Sequence, residues 1–186
     1  MWNVIQCAIQ GRGHIKSNTP CQDKTYSMII GNMRVIALAD GAGSERLSQY
    51  GAETVTKFIC SELSEKFDIY FADNDGAAVK QKLIKGLLKS LNETAKQLDC
   101  EMKELASTLL FVAVKNEQFI IAHIGDGVIG YLKKNELKIA SQPENGEFVN
   151  TTVFTTSKDA IMTMKLIKGS LGEIQGFVLM SDGTEA

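Results

Sequence analysis

The sequence lacks the features that mark membrane proteins and secreted proteins. It contains no apolar run long enough to span a bilayer, and residues 1–4 do not begin a basic region followed by an apolar block. We therefore expect no membrane segment and no signal peptide, and a reducing, cytoplasmic location.

A strong charge of either sign is also absent. The net charge is −2, and only three arginines occur, which are Arg12, Arg34 and Arg46. Such a chain has no general electrostatic attraction to nucleic acid or to an anionic membrane. We expect no nucleic-acid partner and no membrane partner.

Cysteine is sparse. The four cysteines show no C-x-x-C spacing, which argues against a thiolate zinc site, and a disulfide framework is not expected in a chain of 186 residues. Cys7 lies in an apolar run, residues 4–9, that predicts a buried strand, and Cys60 lies in a helical pattern. Both are expected to be small core residues.

The chain has the length and the apolar content, 44 %, of one domain with a sizeable core. Two β-prone runs around Gly31 predict a hairpin. Helical spacing predicts a helix from Ser44 to about Phe67 that packs Phe58 on a sheet, and a second helix capped within residues 73–75. Further strands are expected over residues 108–114, 118–124, 128–132, 137–140, 151–156, 161–167 and 176–180, with an irregular loop over 142–150. This order predicts an α+β layered sandwich.

Three Asp-Gly pairs, which begin at Asp40, Asp126 and Asp182, each follow an apolar, β-prone run. A strand that ends at Asp-Gly leaves a carboxylate at the edge of the sheet. Three such carboxylates, brought together by folding, would form an all-oxygen site for a hard cation such as Mg²⁺ or Mn²⁺. The alternative is three ordinary hairpin turns, for which Asp-Gly is a common signal.

The neighbouring residues favour the first interpretation. In chain order they form the motifs Cys21-Gln22-Asp23, Asp40-Gly41-Ala42-Gly43, Ala106-Ser107-Thr108, Ile124-Gly125-Asp126-Gly127 and Met180-Ser181-Asp182-Gly183. This series resembles the metal-dependent serine/threonine protein phosphatases of type 2C, and more closely their bacterial branch. The resemblance implies a central antiparallel β-sandwich flanked by helical layers, an α-β-β-α four-layer sandwich, with a metal site at one end.

The resemblance also implies roles for individual residues. Asp40 would bridge two Mn²⁺ or Mg²⁺ ions, with the Gly41 carbonyl holding one of them and Asp182 binding the other. Asp23 would bind or orient water on these ions, and Asp126 would join Asp182 at a third, weaker position. Asp40, Asp182 and Asp23 would be the catalytic residues, because the ions activate the water that attacks phosphorus.

One departure from the family concerns the substrate phosphate. The family places a phosphate-binding arginine five residues before the aspartate of its acid pair, and Asn18 occupies that position here. Arg12, His14 and Lys16 lie in the same stretch and are the candidates to replace it.

Further departures concern the metal site. Gln22 stands where many members have a glutamate ligand, and Ala42 stands where some have a histidine that protonates the leaving group, so that water would take this role. The family also places a metal-binding aspartate well beyond the Ser-Asp-Gly turn. We therefore expect residues 1–186 to form a single phosphatase-like catalytic domain that lacks its C-terminal part.

Three functions remain open from the sequence. The first is a Mg²⁺- or Mn²⁺-dependent phosphatase of phosphoserine and phosphothreonine, with a phosphoprotein substrate that is a cognate serine/threonine kinase or its target. The second is a non-catalytic phosphatase-like module that regulates or binds a partner, and the third is an unrelated β-rich metal-binding domain. Of the other polar residues, His123 is expected to be half-buried and hydrogen-bonded, and Cys21 to be structural.

Overall fold

The computed structural model describes residues 2–143 and 152–184, which form two antiparallel sheets and a layer of helices. The helices are α1 (Arg12–Ser17), α2 (Ser48–Ala72), α3 (Gly76–Leu98) and α4 (Ala160–Thr163), with 3-10 turns at Met102–Leu105 and Asp182–Thr184. The strands are β1 (Lys24–Ile30), β2 (Met33–Ala39), β3 (Leu109–Lys115), β4 (Gln118–Ile124), β5 (Val128–Lys133), β6 (Glu136–Ser141), β7 (Lys165–Ser170) and β8 (Ile174–Met180).

The larger sheet has the strand order β1-β2-β3-β4-β7, and all neighbours are antiparallel. β1 and β2 form the predicted hairpin, in which Gly31 has a φ of +54°, a conformation that glycine adopts without steric cost. At the other end of this hairpin Lys24 pairs with Ala39. Asp23 and Asp40, the next residues outward, are therefore neighbours at one end of the sheet.

The larger sheet is buried on both faces, as β3 illustrates. Leu109, Phe111 and Ala113 belong to the core that contains the residues of α2 and α3, whereas Leu110 and Val112 belong to the core shared with the smaller sheet. This alternation follows from the two-residue period of a strand. β3 is consequently apolar along almost its whole length.

The smaller sheet has the order β6-β5-β8 and completes the sandwich. The core between the sheets includes Ile36, Leu110, Val112, Ile121, Ile129, Phe177 and Leu179. The α+β sandwich is thus as predicted, with α2 and α3 sharing a core with the larger sheet. Within residues 2–143 and 152–184, no helix is long and apolar enough to cross a membrane.

α2 starts later than expected, at Ser48 rather than Ser44. Residues 41–47 instead form a turn in which the Glu45 amide donates to the Ala42 carbonyl at 3.0 Å. α2 then lies close to the 3-10 turn at Met102–Leu105, because a Cβ on Gly51 would stand 1.9 Å from the Leu105 carbonyl oxygen. The residues expected to form the first turn of this helix, 44–47, therefore belong to a loop.

α3 begins as predicted, because the Asp75 carboxylate accepts hydrogen bonds from the amides of Ala77 and Ala78, each at 3.0 Å. Phe58 is partly buried against the core that the helices share with the larger sheet. A Cβ on Gly86 of α3 would lie 2.4 Å from Cζ of Phe58, so this ring also packs on α3.

Several local predictions are wrong. Residues 4–9 form no strand and are mostly exposed, with Ile5 96 % exposed and Cys7 also at the surface, because this run pairs with no strand in the described part of the chain. Residues 152–156 are a loop and turn, and the expected strand over 161–167 is replaced by α4 and β7. Cys60 is buried as predicted. Most of the predicted loop, residues 144–150, and residue 151 lie outside the described residues.

Candidate active site

Two hydrogen bonds with Thr108, the residue before β3, hold the backbone of Asp40 in place. The Asp40 amide donates to Oγ1 of Thr108 at 2.9 Å, and the Thr108 amide donates to the Asp40 carbonyl at 2.8 Å. Both backbone groups of Asp40 are thereby occupied just beyond the end of β2, which leaves its carboxylate to project from the edge of the sheet. The Ser-Thr motif thus supports the site, as the sequence predicts.

The space around Gly41 is too small for a residue with a Cβ atom. A Cβ on Gly41 would lie 2.7 Å from Oγ and 2.8 Å from the backbone carbon of Ser48. Gly41 also forms an isolated antiparallel bridge with Ser107, and the Ala42 amide donates to the Ala106 carbonyl at 2.9 Å. The turn after Asp40 is therefore packed against the first residue of α2.

Asp23 faces Asp40 and the end of β8. Its side chain lies close enough to Ser181, Asp40, Asp182 and His14 for each of them to affect its ionisation. The pKa of Asp23 is raised, first by burial and then by the like charge of Asp182. One carboxylate oxygen, Oδ1, is buried without a hydrogen-bond partner in the described residues.

Asp40 is the most strongly perturbed of these carboxylates. Burial raises the pKa of Asp40 to about 8, with further contributions from the charge of Asp23, from a hydrogen bond and the charge of Asp182, and from the charge of Asp126. The sandwich therefore brings together all four aspartates that the sequence singled out. The charges of the neighbouring aspartates oppose the ionisation of Asp40.

Asp126 stands at the rim of this group. The preceding Gly125 has a φ of +115°, and a Cβ there would lie 2.5 Å from Cγ2 of Thr108, so glycine is required for this approach. Asp126 Oδ2 accepts a hydrogen bond of 2.6 Å from Oγ1 of Thr152. Thr152 thus orients this carboxylate, a role that no local sequence pattern predicts.

The aspartates Asp23, Asp40 and Asp182 line a cavity of about 770 Å³. Its walls come from residues 5–9, from β1, β2 and β8, and from His14 and Cys21. Of the three candidates for the substrate phosphate, only His14 is among the lining residues; Arg12 and Lys16 are exposed on α1. Of the three, His14 is therefore the candidate that a bound phosphate could contact in this cavity.

A model of the protein phosphatase 2C family matches residues 10–186. The chain belongs to the protein phosphatase 2C family. It is similar to serine/threonine-protein phosphatase 3 of Escherichia coli (strain K12), with 24 % identity over 196 residues that cover 99 % of this chain and 74 % of that protein.

Two solved structures share the fold. Serine/threonine phosphatase Stp1 from Staphylococcus aureus has a TM-score of 0.61 and 17 % identity, covering 87 % of this chain and 70 % of that one. The catalytic domain of the serine/threonine protein phosphatase PstP, in complex with two manganese ions, has a TM-score of 0.50 and 16 % identity, covering 87 % and 71 %.

Two further polar residues of this phosphatase 2C domain are buried. Gln22 is 5 % exposed, and its side chain turns towards the start of α2. His123 is fully buried rather than half-buried; it is hydrogen-bonded as expected, with Nδ1 2.8 Å from Ser141 Oγ, whereas Nε2 has no partner in the described residues. The pKa of His123 is lowered, chiefly by burial.

The donor atoms of the acidic cluster do not form a closed ligand set. Among the described residues, no three acidic, histidine or cysteine side chains are arranged around one metal position. The cluster nevertheless has the chemistry of a hard-cation site, because its donors are carboxylates and no described residue is hydrogen-bonded to Asp23 Oδ1. A divalent cation would relieve the repulsion between these groups.

Proposed function

We propose that this domain is a Mg²⁺- or Mn²⁺-dependent phosphoprotein phosphatase that hydrolyses phosphoserine and phosphothreonine. The observation that carries the proposal is the raised pKa of Asp40, to about 8, in a cluster of aspartates that lines a cavity of a protein phosphatase 2C domain. Carboxylates held together against their repulsion are typical of a site that receives cations.

In this proposal Asp40, the Gly41 carbonyl, Asp182 and Asp23 would hold two divalent ions, and Asp126 with Asp182 a third. Such ions supply an acidified water as the nucleophile and positive charge for the phosphoryl oxygens. The complex of PstP with two manganese ions supports this choice of cofactor.

The other residues of the cavity would bind and orient the phosphorylated side chain. His14 lies beside Asp23, so a protonated imidazole there would attract a phosphate oxygen. It would thereby take the role of the family's phosphate-binding arginine, whose position is occupied by Asn18 in this chain. Ala42 carries no group that titrates, and protonation of the leaving alkoxide would fall to water. Cys21 has no role in this chemistry.

The partner would be a phosphoprotein, either a cognate serine/threonine kinase or its target, in the cytoplasm. The similarity to serine/threonine-protein phosphatase 3 supports a protein substrate. The alternative is a phosphatase-like module that binds a partner without catalysis. It is favoured by Gln22, whose amide is hydrogen-bonded to backbone carbonyls where many members have a glutamate ligand.

The test is release of phosphate from a phosphothreonine peptide with Mn²⁺, Mg²⁺ or chelator present. The phosphatase proposal expects turnover with either ion and none with chelator. Binding of Mn²⁺ without turnover would favour the non-catalytic module. Turnover that persists in chelator would contradict the metal dependence.

A further inference from the structure

We propose that Gln22 is a positioning residue whose side-chain NH₂ group holds the turn after Asp40. The inference rests on the proposed function, because it concerns the Gly41 carbonyl as a metal ligand. It assigns a role to a residue that the sequence suggests only as the loss of a glutamate.

The Gln22 side chain reaches the turn at three points. Its amide nitrogen, Nε2, donates to Ser48 Oγ at 2.7 Å and lies 3.3 Å from both the Ala42 carbonyl and the Glu45 carbonyl. Ala42 and Glu45 belong to the loop that joins β2 to α2, and Ser48 is the first residue of α2. A single side chain thus connects the start of β1 to this loop and to the start of α2.

The neighbouring groups determine which way the amide points. The two carbonyls can only accept hydrogen bonds, so the NH₂ group and not the amide oxygen must face them. Ser48 Oγ donates its own hydrogen to the Glu45 carbonyl at 3.1 Å and so offers a lone pair to Gln22. The Ala42 carbonyl and Ser48 Oγ therefore each need a hydrogen from residue 22, and the NH₂ group of glutamine has two.

The network bears directly on Gly41. The Gly41 amide donates to the Gln22 carbonyl at 3.3 Å, and the Gly41 α-carbon rests on Ser48, the strongest partner of the Gln22 side chain. Gln22 therefore contacts Gly41 through its backbone and supports, through Ser48, the surface on which Gly41 lies. The direction of the Gly41 carbonyl depends on both contacts.

A glutamate could not replace these contacts. Its carboxylate would bring an oxygen against the carbonyls of Ala42 and Glu45, and it would keep a bond to Ser48 only if that hydroxyl turned away from Glu45. It would also bury a charge in a place that is 5 % exposed. The NH₂ group of the glutamine is therefore suited to the support of the turn.

The test compares Gln22→Glu and Gln22→Met with the wild type, and uses Thr56→Val as the control. Thr56 is buried in α2 and donates to the Ala52 carbonyl at 2.8 Å, so its replacement removes one buried hydrogen bond away from the turn. Three quantities are measured: amide hydrogen exchange over residues 41–47, Mn²⁺ affinity by calorimetry, and kcat and KM for a phosphothreonine peptide at saturating Mn²⁺.

Both Gln22 variants should exchange about tenfold faster over residues 41–47 and bind Mn²⁺ about tenfold more weakly, the effect expected for the loss of a buried hydrogen bond. KM should stay unchanged, and Thr56→Val should lower stability without either effect. Unchanged exchange in Gln22→Met, or tighter Mn²⁺ binding by Gln22→Glu, would overturn the inference. Failure of the wild type to bind Mn²⁺ would instead contradict the proposed function, and the exchange measurement would still decide the role of Gln22 in the turn.

Discussion

Thr108 binds both backbone groups of Asp40, accepting from its amide at 2.9 Å and donating to its carbonyl at 2.8 Å. Thr108 immediately precedes β3 and Asp40 immediately follows β2, so the pairing of these two strands brings the two residues together. The side chain of Thr108 contributes one of the two bonds, which makes its contribution measurable.

Thr108→Val should therefore weaken both stability and activity. Valine keeps the shape but leaves the Asp40 amide without its acceptor, which costs about 1–3 kcal/mol where the group is buried. Chemical denaturation gives the stability, and hydrolysis of a phosphothreonine peptide gives the activity. Thr108→Ser, which retains the hydroxyl, is the control and should be the milder change; equal effects from both variants would contradict this role.

Without metal, the stability of the protein should fall as the pH rises from about 4 to about 8. The pKa of Asp40 is raised by folding to about 8, so the folded state holds a proton that the unfolded state has released, and this advantage disappears as the pH passes the folded value. Denaturation in chelator at several pH values should show the slope, and Asp40→Asn should reduce it. A slope that is unchanged in Asp40→Asn would show that other groups cause it.

His123 should produce a dependence of opposite sign. Because burial lowers the pKa of His123, the unfolded state binds a proton first, and stability should decrease as the pH falls below about 6.5. His123→Gln should lose this decrease. The chain has two histidines, so His14→Gln is a matched control in which the decrease should remain. The measurement is denaturation between pH 5 and pH 7.5 in the presence of chelator.

The acidic site could be predicted from the sequence because its signals are local. Asp40, Asp126 and Asp182 each follow a β-prone run, and a strand end fixes where the next carboxylate lies. The hairpin at Gly31 has the same origin. These features depend on a few neighbouring residues, which the sequence displays directly.

Other features depend on contacts that no local pattern reveals. Residues 4–9 are apolar enough for a buried strand, but burial requires a partner, and in the described structure no strand pairs with them. The short apolar run that contains α4 fits a strand or a helix equally well. The role of Gln22 follows from acceptors that are 20 to 26 residues away in the chain.

Phe58 and Gly86 should be strongly coupled. Phe58→Ala should destabilise the fold by about 2 kcal/mol, because a partly buried ring leaves the core. Gly86→Ala should also destabilise it, since the new methyl would lie 2.4 Å from the ring. In the Phe58→Ala background, Gly86→Ala should be stabilising, because alanine favours a helix by about 1 kcal/mol over glycine. A double-mutant cycle measured by denaturation tests this, and additive effects would exclude the contact.

The last prediction separates metal chemistry from thiol chemistry in the same cavity. Cys21 and Asp40 both line it, and the Cys21 thiol contacts the Asp23 carbonyl at 3.7 Å. Asp40→Asn should lower turnover of p-nitrophenyl phosphate with Mn²⁺ by at least about a hundredfold, the effect typical of losing one group that stabilises transition-state charge. Cys21→Ser should leave turnover nearly unchanged, because a hydroxyl can donate to the same carbonyl. Loss of turnover in Cys21→Ser together with its survival in Asp40→Asn would identify a thiolate nucleophile and refute the metal-dependent mechanism.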